Sequence, residues 1–456
     1  MNALLTPLRE VASQATARVR GFGTFTNFAA DQLDFLQRLA ASSGDVARFE
    51  MLARSFVLVR HPDDVELILV KHAKCVGRDE YVRVLKRALG LGLLTSEGDL
   101  WKRQRHLMAQ AFVPKRIASY AEVMVQVGEA SLARFRDGDE VELHRETSRL
   151  AAEVVSEVLF GAGITPDEIA MVGESLEVLN DFFANSPESI LSIPKWVPTP
   201  RNVRMNRAMA RVDELIFRIV RERRAAVPRE DFLGTLLAAQ DDAGVRMSDA
   251  QLRDEAVTLF LAGHETTALA LAYTLHLLAR HPEVERLLLA ELEAVLGPRA
   301  PTVADVKALP YLECVLKESM RLFPPAWTMG REVLEPFEVR GHTLRKGEQI
   351  LISQWVMHHD ERWFPDPEAF DPERFSPARA KSIPKYAYLP FGAGPRVCIG
   401  SHFAMLEATL LLALIVRRFH VELLPGQRLD FAPSVTLRPK GQGLRVRLRE
   451  RQTARG

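Results

Sequence analysis

Cysteine is scarce. Cys75, Cys314 and Cys398 are the only three in 456 residues, too few and too scattered for a disulfide framework. No Cys-x-x-Cys pair or Cys/His cluster occurs, so zinc and iron-sulfur patterns are excluded. Charge of one sign is also lacking: 60 Lys and Arg face 59 Asp and Glu. The net charge of +1 removes the bulk electrostatic case for nucleic acid or an anionic membrane, so any charged partner must meet a local patch. No apolar run approaches the roughly 18 residues needed to span a bilayer. Arg9 and Glu10 interrupt the N-terminal stretch before it reaches signal-peptide length. A cytoplasmic protein with no transmembrane anchor is expected. Internal repeats and Gly/Ser-rich or Pro-rich linkers are absent too, which favours one continuous domain over 1–456.

What is present suits a large core: 47% of residues are hydrophobic and 26% charged. Strand signals are confined to stretches near 49–60, 333–355 and 419–448, whereas helical periodicity dominates 99–322 and returns over 399–418. A mainly α chain with small β-sheets is expected. Its best-marked helix opens at Ser248 with Gln251 three places on, a capping-box pattern, and meets no proline until Pro282. Such a helix would be about 45 Å long. Further helices are expected over 283–296, stopped by Gly297-Pro298, and over 310–322, stopped by Pro324-Pro325. Residues 337–353 read as a hairpin or meander, and 434–450 as a second hairpin around Gly441 and Gly443. Between them, Pro365, Pro367, Pro372 and Pro377 punctuate Trp363, Phe364, Phe370 and Phe375, the pattern of an ordered, packed loop.

Four groups of residues could carry chemistry. Phe391, Gly392, Gly394, Arg396, Cys398 and Gly400 place one thiol between a glycine-rich loop and a helix start, where unpaired N–H groups and the helix dipole favour a thiolate. A thiolate facing a large flat group can ligate haem iron, although a lone cysteine is more often a buried structural one. In the long helix, Ala262-Gly263-His264-Glu265-Thr266-Thr267 should loosen the hydrogen-bond ladder into a bulge or kink. Its small residues offer a groove beside an acid and a hydroxyl, or simply a tight helix crossing. Glu318 and Arg321 stand at i and i+3, by default a solvated pair. Trp101 and Arg105 lie one turn apart, a suitable clamp for a carboxylate or an arginine snorkelling over an indole.

Taken together and in this order, these segments resemble the cytochrome P450 family over nearly the whole chain. The Phe-Gly-x-Gly-x-Arg-x-Cys-x-Gly signature is met at 391–400, and Ala-Gly-x-Glu-Thr-Thr at 262–267. Glu-x-x-Arg is met at Glu318 and Arg321, and Pro-Glu-Arg-Phe at 372–375. The resemblance implies the P450 fold, a triangular helix-rich prism with a long central helix. It further implies haem b with Cys398 as iron ligand and Trp101, Arg105, Arg331 and Arg396 on the propionates. Phe391, Gly392, Gly400, Ala262 and Gly263 would border the haem. Thr266 with Glu265 would manage proton delivery, and Arg374 would join Glu318 and Arg321 in a buried cluster.

The activity implied is monooxygenation with O2 of an unactivated C–H or C=C bond in a hydrophobic small molecule, terpenoid or fatty acid-like. Electrons would come from a ferredoxin or flavodoxin with its reductase, docking near Lys102, Arg103, Lys115 and Arg116, on a monomeric enzyme. The pocket would be lined by 76–94, Phe182, Phe183, Phe260, Ala262, Gly263, Thr267, Ala326, Trp327, Thr328, Met329 and Val435. A peroxide-using haem-thiolate enzyme, a haem-based ligand sensor and a haem-free helical scaffold are the alternatives, the sensor disfavoured by the intact Glu265-Thr266 pair.

Overall fold

The computed structural model describes residues 27–451 except 52–53, 162–163, 186–192, 195, 228, 230 and 442. It divides into two compact units, each made of separated segments. The first comprises residues up to 81, 328–367 and 383–397; the second comprises 82–327, 368–382 and 398 onward. Helix dominates and the sheets are small, as the periodicity predicts.

The first unit is built on a five-stranded sheet. The strand expected within 49–60 is in fact a pair: Val46–Met51 runs antiparallel to Arg54–Val59, with Val57, Leu58 and Val59 buried. Arg54–Val59 then pairs in parallel with Gln349–Ile352, which itself takes Met329–Val333 antiparallel. Of the predicted meander, Phe337–Val339 and His342–Leu344 form a hairpin, and the last strand joins the larger sheet instead. The proline-rich loop is packed: Phe364 and Phe370 are buried within their respective units.

The second unit is a helical assembly around one apolar core. Five of its helices position the site. They are α1 (Gly98–Ala109), α2 (Leu143–Phe160), α3 (Asp249–Arg280), α4 (Pro310–Leu322) and α5 (Ser401–Arg418). Helix α3 starts with both hydrogen bonds of the expected capping box, Ser248 Oγ accepting from Gln251 N and Gln251 Oε1 from Ser248 N. It ends at His281-Pro282, where ring geometry forbids another internal turn. The expected bulge does not interrupt it: the helix is continuous across 262–267. Thr266 Oγ donates back to the Ala262 carbonyl at 2.6 Å, so the threonine satisfies itself within the ladder rather than opening it.

The second predicted hairpin is corrected. Leu437–Pro439 pairs with Phe431–Pro433, whereas Arg445–Glu450 pairs with both Phe419–Leu423 and Glu140–Glu142. Gly441 and Gly443 thus carry the chain from one sheet to another. At Gly443 φ is 69°, and any side chain would collide with Glu142, so glycine serves a crossing rather than a two-residue turn.

Candidate active site

The signature loop is a chain of constrained glycines. Gly392 and Gly394 both adopt φ of 71°, a left-handed conformation that L side chains resist. A Cβ on Gly394 would also overlap the Leu69 carbonyl oxygen, because the Gly394–Arg396 turn lies directly against the Leu67–Lys71 turn. Cys398 follows, three residues before the start of α5. Of the three cysteines it alone is exposed; Cys314 is buried, and its thiol is pushed up to about 11.

Cys398 is accessible by surface area, yet protein atoms crowd its sulfur. Desolvation therefore raises its pKa against two opposing influences, the Gly400 N–H and the Arg105 guanidinium of α1. The helix start alone does not yield the thiolate expected from sequence. A bound metal cation would reverse the balance, since coordination deprotonates a thiol outright.

Arg331 supplies an independent test of fit to haem in the first unit. It is 8% exposed, and burial depresses its pKa with the Asp79 carboxylate opposing, although no ion pair closes between them. Its hydrogen bond is to its own neighbour, the Gly330 carbonyl, at 2.6 Å. A buried guanidinium of this kind is costly without an anion, and a propionate carboxylate is a matching one. Within the first unit this buried donor suits a carboxylate, and within the second the soft, accessible Cys398 sulfur suits iron. Arg105 in the second unit is likewise depressed by burial, with Cys398 opposing. Trp101 is half-buried on the same helix.

The cluster of α4 forms as the resemblance implies. Arg321 donates to both oxygens of Glu318 at 2.7 and 2.8 Å, and Arg374 donates to Glu318 at 3.2 Å. Arg321 also reaches the Ala369 carbonyl, and the Asp371 N–H reaches Glu318. Glu318 and Arg321 are fully buried, so the solvated-pair reading fails.

Helix α3 sorts its motif residues differently from expectation. Ala262 is exposed and Thr266 half-buried. Gly263 is half-buried, and a Cβ there would press on Val155 of α2 at 3.3 Å, so this glycine permits a tight helix crossing. Thr267 does not face a pocket: it is buried and donates to Glu407 of α5 at 3.2 Å. Glu265 is 1% exposed and bound by Arg438 at 2.5 and 2.9 Å, with Thr436 donating at 3.4 Å; His144 Nε2 lies 3.4 Å away. These partners outweigh desolvation and hold its carboxyl well below the usual range. Next to it, His264 Nε2 meets Ser148 Oγ at 2.7 Å, and burial depresses its imidazole to about 4.

Several expected pocket residues are deeply buried, and Phe260 lines a small apolar cavity. Phe182, Phe183, Phe260 and Trp327 are all at most 5% exposed. Phe182 packs edge-on against Phe183 and under Arg87, and the Trp327 indole donates to the Ser434 carbonyl. Phe260 sits among Phe160, Leu176, Val212 and Val257. Ala326 and Val435 in the second unit keep partial exposure, as do Thr328 and Met329 in the first. Of 76–94, the turn after residue 89 is pinned to α3: Leu91 N–H donates to Asp254 at 2.7 Å and Leu93 N–H to Glu255 at 2.9 Å.

Sequence reasoning missed Arg438, His144, Ser148 and Glu407. The first three reach Glu265 and His264 across more than a hundred residues, with no local signal. Glu407 had one: it is the only charged residue between Phe403 and Val416, an acid inside an otherwise apolar helix.

The sequence pattern of the cytochrome P450 family matches residues 18–445. Cyclooctatin synthase of Streptomyces melanosporofaciens is 38% identical over 408 residues, covering 89% of each chain. Cyclooctat-9-en-7-ol 5-monooxygenase of the same organism is 34% identical, covering 87% of this chain and 86% of its own. Among solved structures, retinoic acid-bound cyanobacterial CYP120A1 superposes with a TM-score of 0.84 at 29% identity, covering 94% of this chain and 96% of that one. With the thiol loop, the Glu318 cluster and the long helix in place, the chain belongs to the cytochrome P450 family and is a haem b-dependent monooxygenase that uses O2 and a redox partner.

Proposed function

We propose that the chain hydroxylates or epoxidises a terpenoid-like hydrocarbon skeleton, with Cys398 as the iron ligand. The single observation that carries the site assignment is the accessible Cys398 thiol beside Arg105, at the entrance to α5. Trp101, Arg105, Arg331 and Arg396 hold the propionates, and Phe391, Gly392, Gly400, Ala262 and Gly263 border the macrocycle. When bound, haem supplies the activation of dioxygen that no amino-acid side chain can perform.

The chain's own residues bind, orient and move protons. Thr266 presents its hydroxyl on the half-buried side of α3, anchored to the Ala262 carbonyl. Glu265, on the next position, faces the Arg438 cluster and transfers protons toward the threonine. Ala326 and Val435 in the second unit, and Met329 in the first, are partly exposed apolar residues suited to a hydrocarbon. The names of the two Streptomyces relatives favour a terpenoid over a fatty acid. Electrons come from a ferredoxin, or a flavodoxin, with its reductase. We infer a monomeric, cytoplasmic enzyme; no described helix is long and apolar enough to cross a membrane.

Titration of the ferric protein with sesquiterpenes, diterpenes, steroids and fatty acids tests the substrate class. The expected result is a high-spin spectral change with a terpenoid at micromolar concentration. A change only with fatty acids would overturn the terpenoid reading.

A further inference from the structure

His144 is placed as a proton conduit with one wet end and one dry end. It stands in the first turn of α2, and its side chain keeps 16% exposure. Its Nε2 is buried, has no hydrogen-bond partner, and lies 3.4 Å from Glu265 Oε1. We propose that His144 supplies the protons that Glu265 passes to Thr266, with Arg438 positioning the carboxylate between them. The proposal rests on the monooxygenase reading above and adds the source of the protons.

Elimination among the groups around Glu265 leads to this residue. From the 431–439 hairpin come Arg438, whose guanidinium does not deprotonate in proteins, and the neutral Thr436 hydroxyl. On α3 itself, His264 is 4.0 Å from Glu265, held by Ser148 and kept neutral by burial, and Tyr273 donates to the Leu437 carbonyl. Glu142, before α2, accepts the backbone N–H of His144, and Glu177 of the Pro166–Asn185 helix acts on Arg438 from a distance. Glu265 is itself a carboxylate and must be given a proton before it can pass one on. His144 is the remaining neighbour whose ring can accept a proton on one nitrogen and donate one from the other.

In the transfer, the imidazolium Nε2–H bond breaks and the proton joins Glu265 Oε1. Solvent reprotonates the ring at its exposed side, and no electron moves. Neutralising Glu265 weakens its hold on Arg438 and frees the carboxyl to turn toward Thr266.

The test compares wild-type holoenzyme with His144→Gln, following product formed per reductant consumed across about pH 5.5–8.5. Wild-type coupling should fall as pH rises. The variant should lack that limb and show roughly tenfold lower coupling near neutral pH, with an unchanged carbon monoxide spectrum. Equal coupling and an equal profile overturn the proposal. Should His144→Gln fail to take up haem, ring-nitrogen NMR of resting wild type against Glu265→Gln decides: the His144 Nε2 signal should move when the carboxylate is removed, and superimposable spectra overturn the assignment. Absence of wild-type turnover with any reductant overturns the monooxygenase reading as well; a flat profile with full wild-type turnover overturns only this one.

Discussion

Glu407 is an acid that the fold keeps protonated. It is wholly buried, receives one hydrogen bond from Thr267, and leaves Oε1 without a partner. Desolvation pushes its pKa up to about 8 from an ordinary 4.5. Between those values the folded chain binds a proton that the unfolded chain has released, so stability falls as pH rises through the window, by at most about 1.4 kcal/mol per pH unit. Glu407→Gln keeps the shape and removes the titration. Its melting temperature should be nearly flat where the wild type declines, apart from the parallel contribution of Glu255, also raised to about 8. Parallel melting curves for the two proteins between pH 5 and about 8 would show that Glu407 is ionised when folded. Glu318 is also raised by burial, but it sits between two guanidinium groups that oppose the shift. Glu318→Ala strands both cations, and a loss of about 3–5 kcal/mol is expected from denaturant unfolding.

At the level of elements, the two glycines of the thiol loop separate backbone strain from collision. Both have positive φ, but a Cβ on Gly392 would find Met329 at a comfortable 3.7 Å, whereas one on Gly394 would strike the Leu69 carbonyl. Gly392→Ala should therefore cost about 1–2 kcal/mol and retain haem. Gly394→Ala should displace the turn and lower haem content severalfold; equal haem content in the two variants would contradict the collision. Legibility follows the same division between local and distant causes. The α3 boundaries were readable because Ser248, Gln251 and Pro282 act within a few residues of the ends they define. The segment 434–450 was misread because a glycine pair signals a change of direction and not which strand lies at the far end. The Cys398 loop and the Glu318 cluster were legible through their motifs. The depth at which Thr267, Phe182, Phe183, Phe260 and Trp327 are buried was not legible, because periodicity shows which side of a helix is apolar but not whether a core or a cavity faces it.

For the molecule as a whole, a net charge of +1 means that docking of an electron donor depends on a few surface cations. Two of the four basic candidates are already distinguishable. Arg103 is engaged by Asp241 at 2.5 Å, by Gln251 and by two carbonyls, so it fastens α1 to the segment before α3. Lys115 is exposed, three residues beyond Phe112, which borders Gly400 next to the thiol. An acidic ferredoxin approaching the Cys398 side would meet Lys115 and find Arg103 occupied. Lys115→Glu should slow reduction by such a donor about three- to tenfold at low salt, and the difference should shrink as the Debye length falls to about 8 Å at physiological ionic strength. Reduction by dithionite should not change. Arg103→Glu should instead lower the melting temperature, because it places a second acid beside Asp241. Stopped-flow reduction of both variants separates these outcomes, and a Lys115→Glu enzyme reduced as fast as wild type at every salt concentration would move the docking face away from this helix.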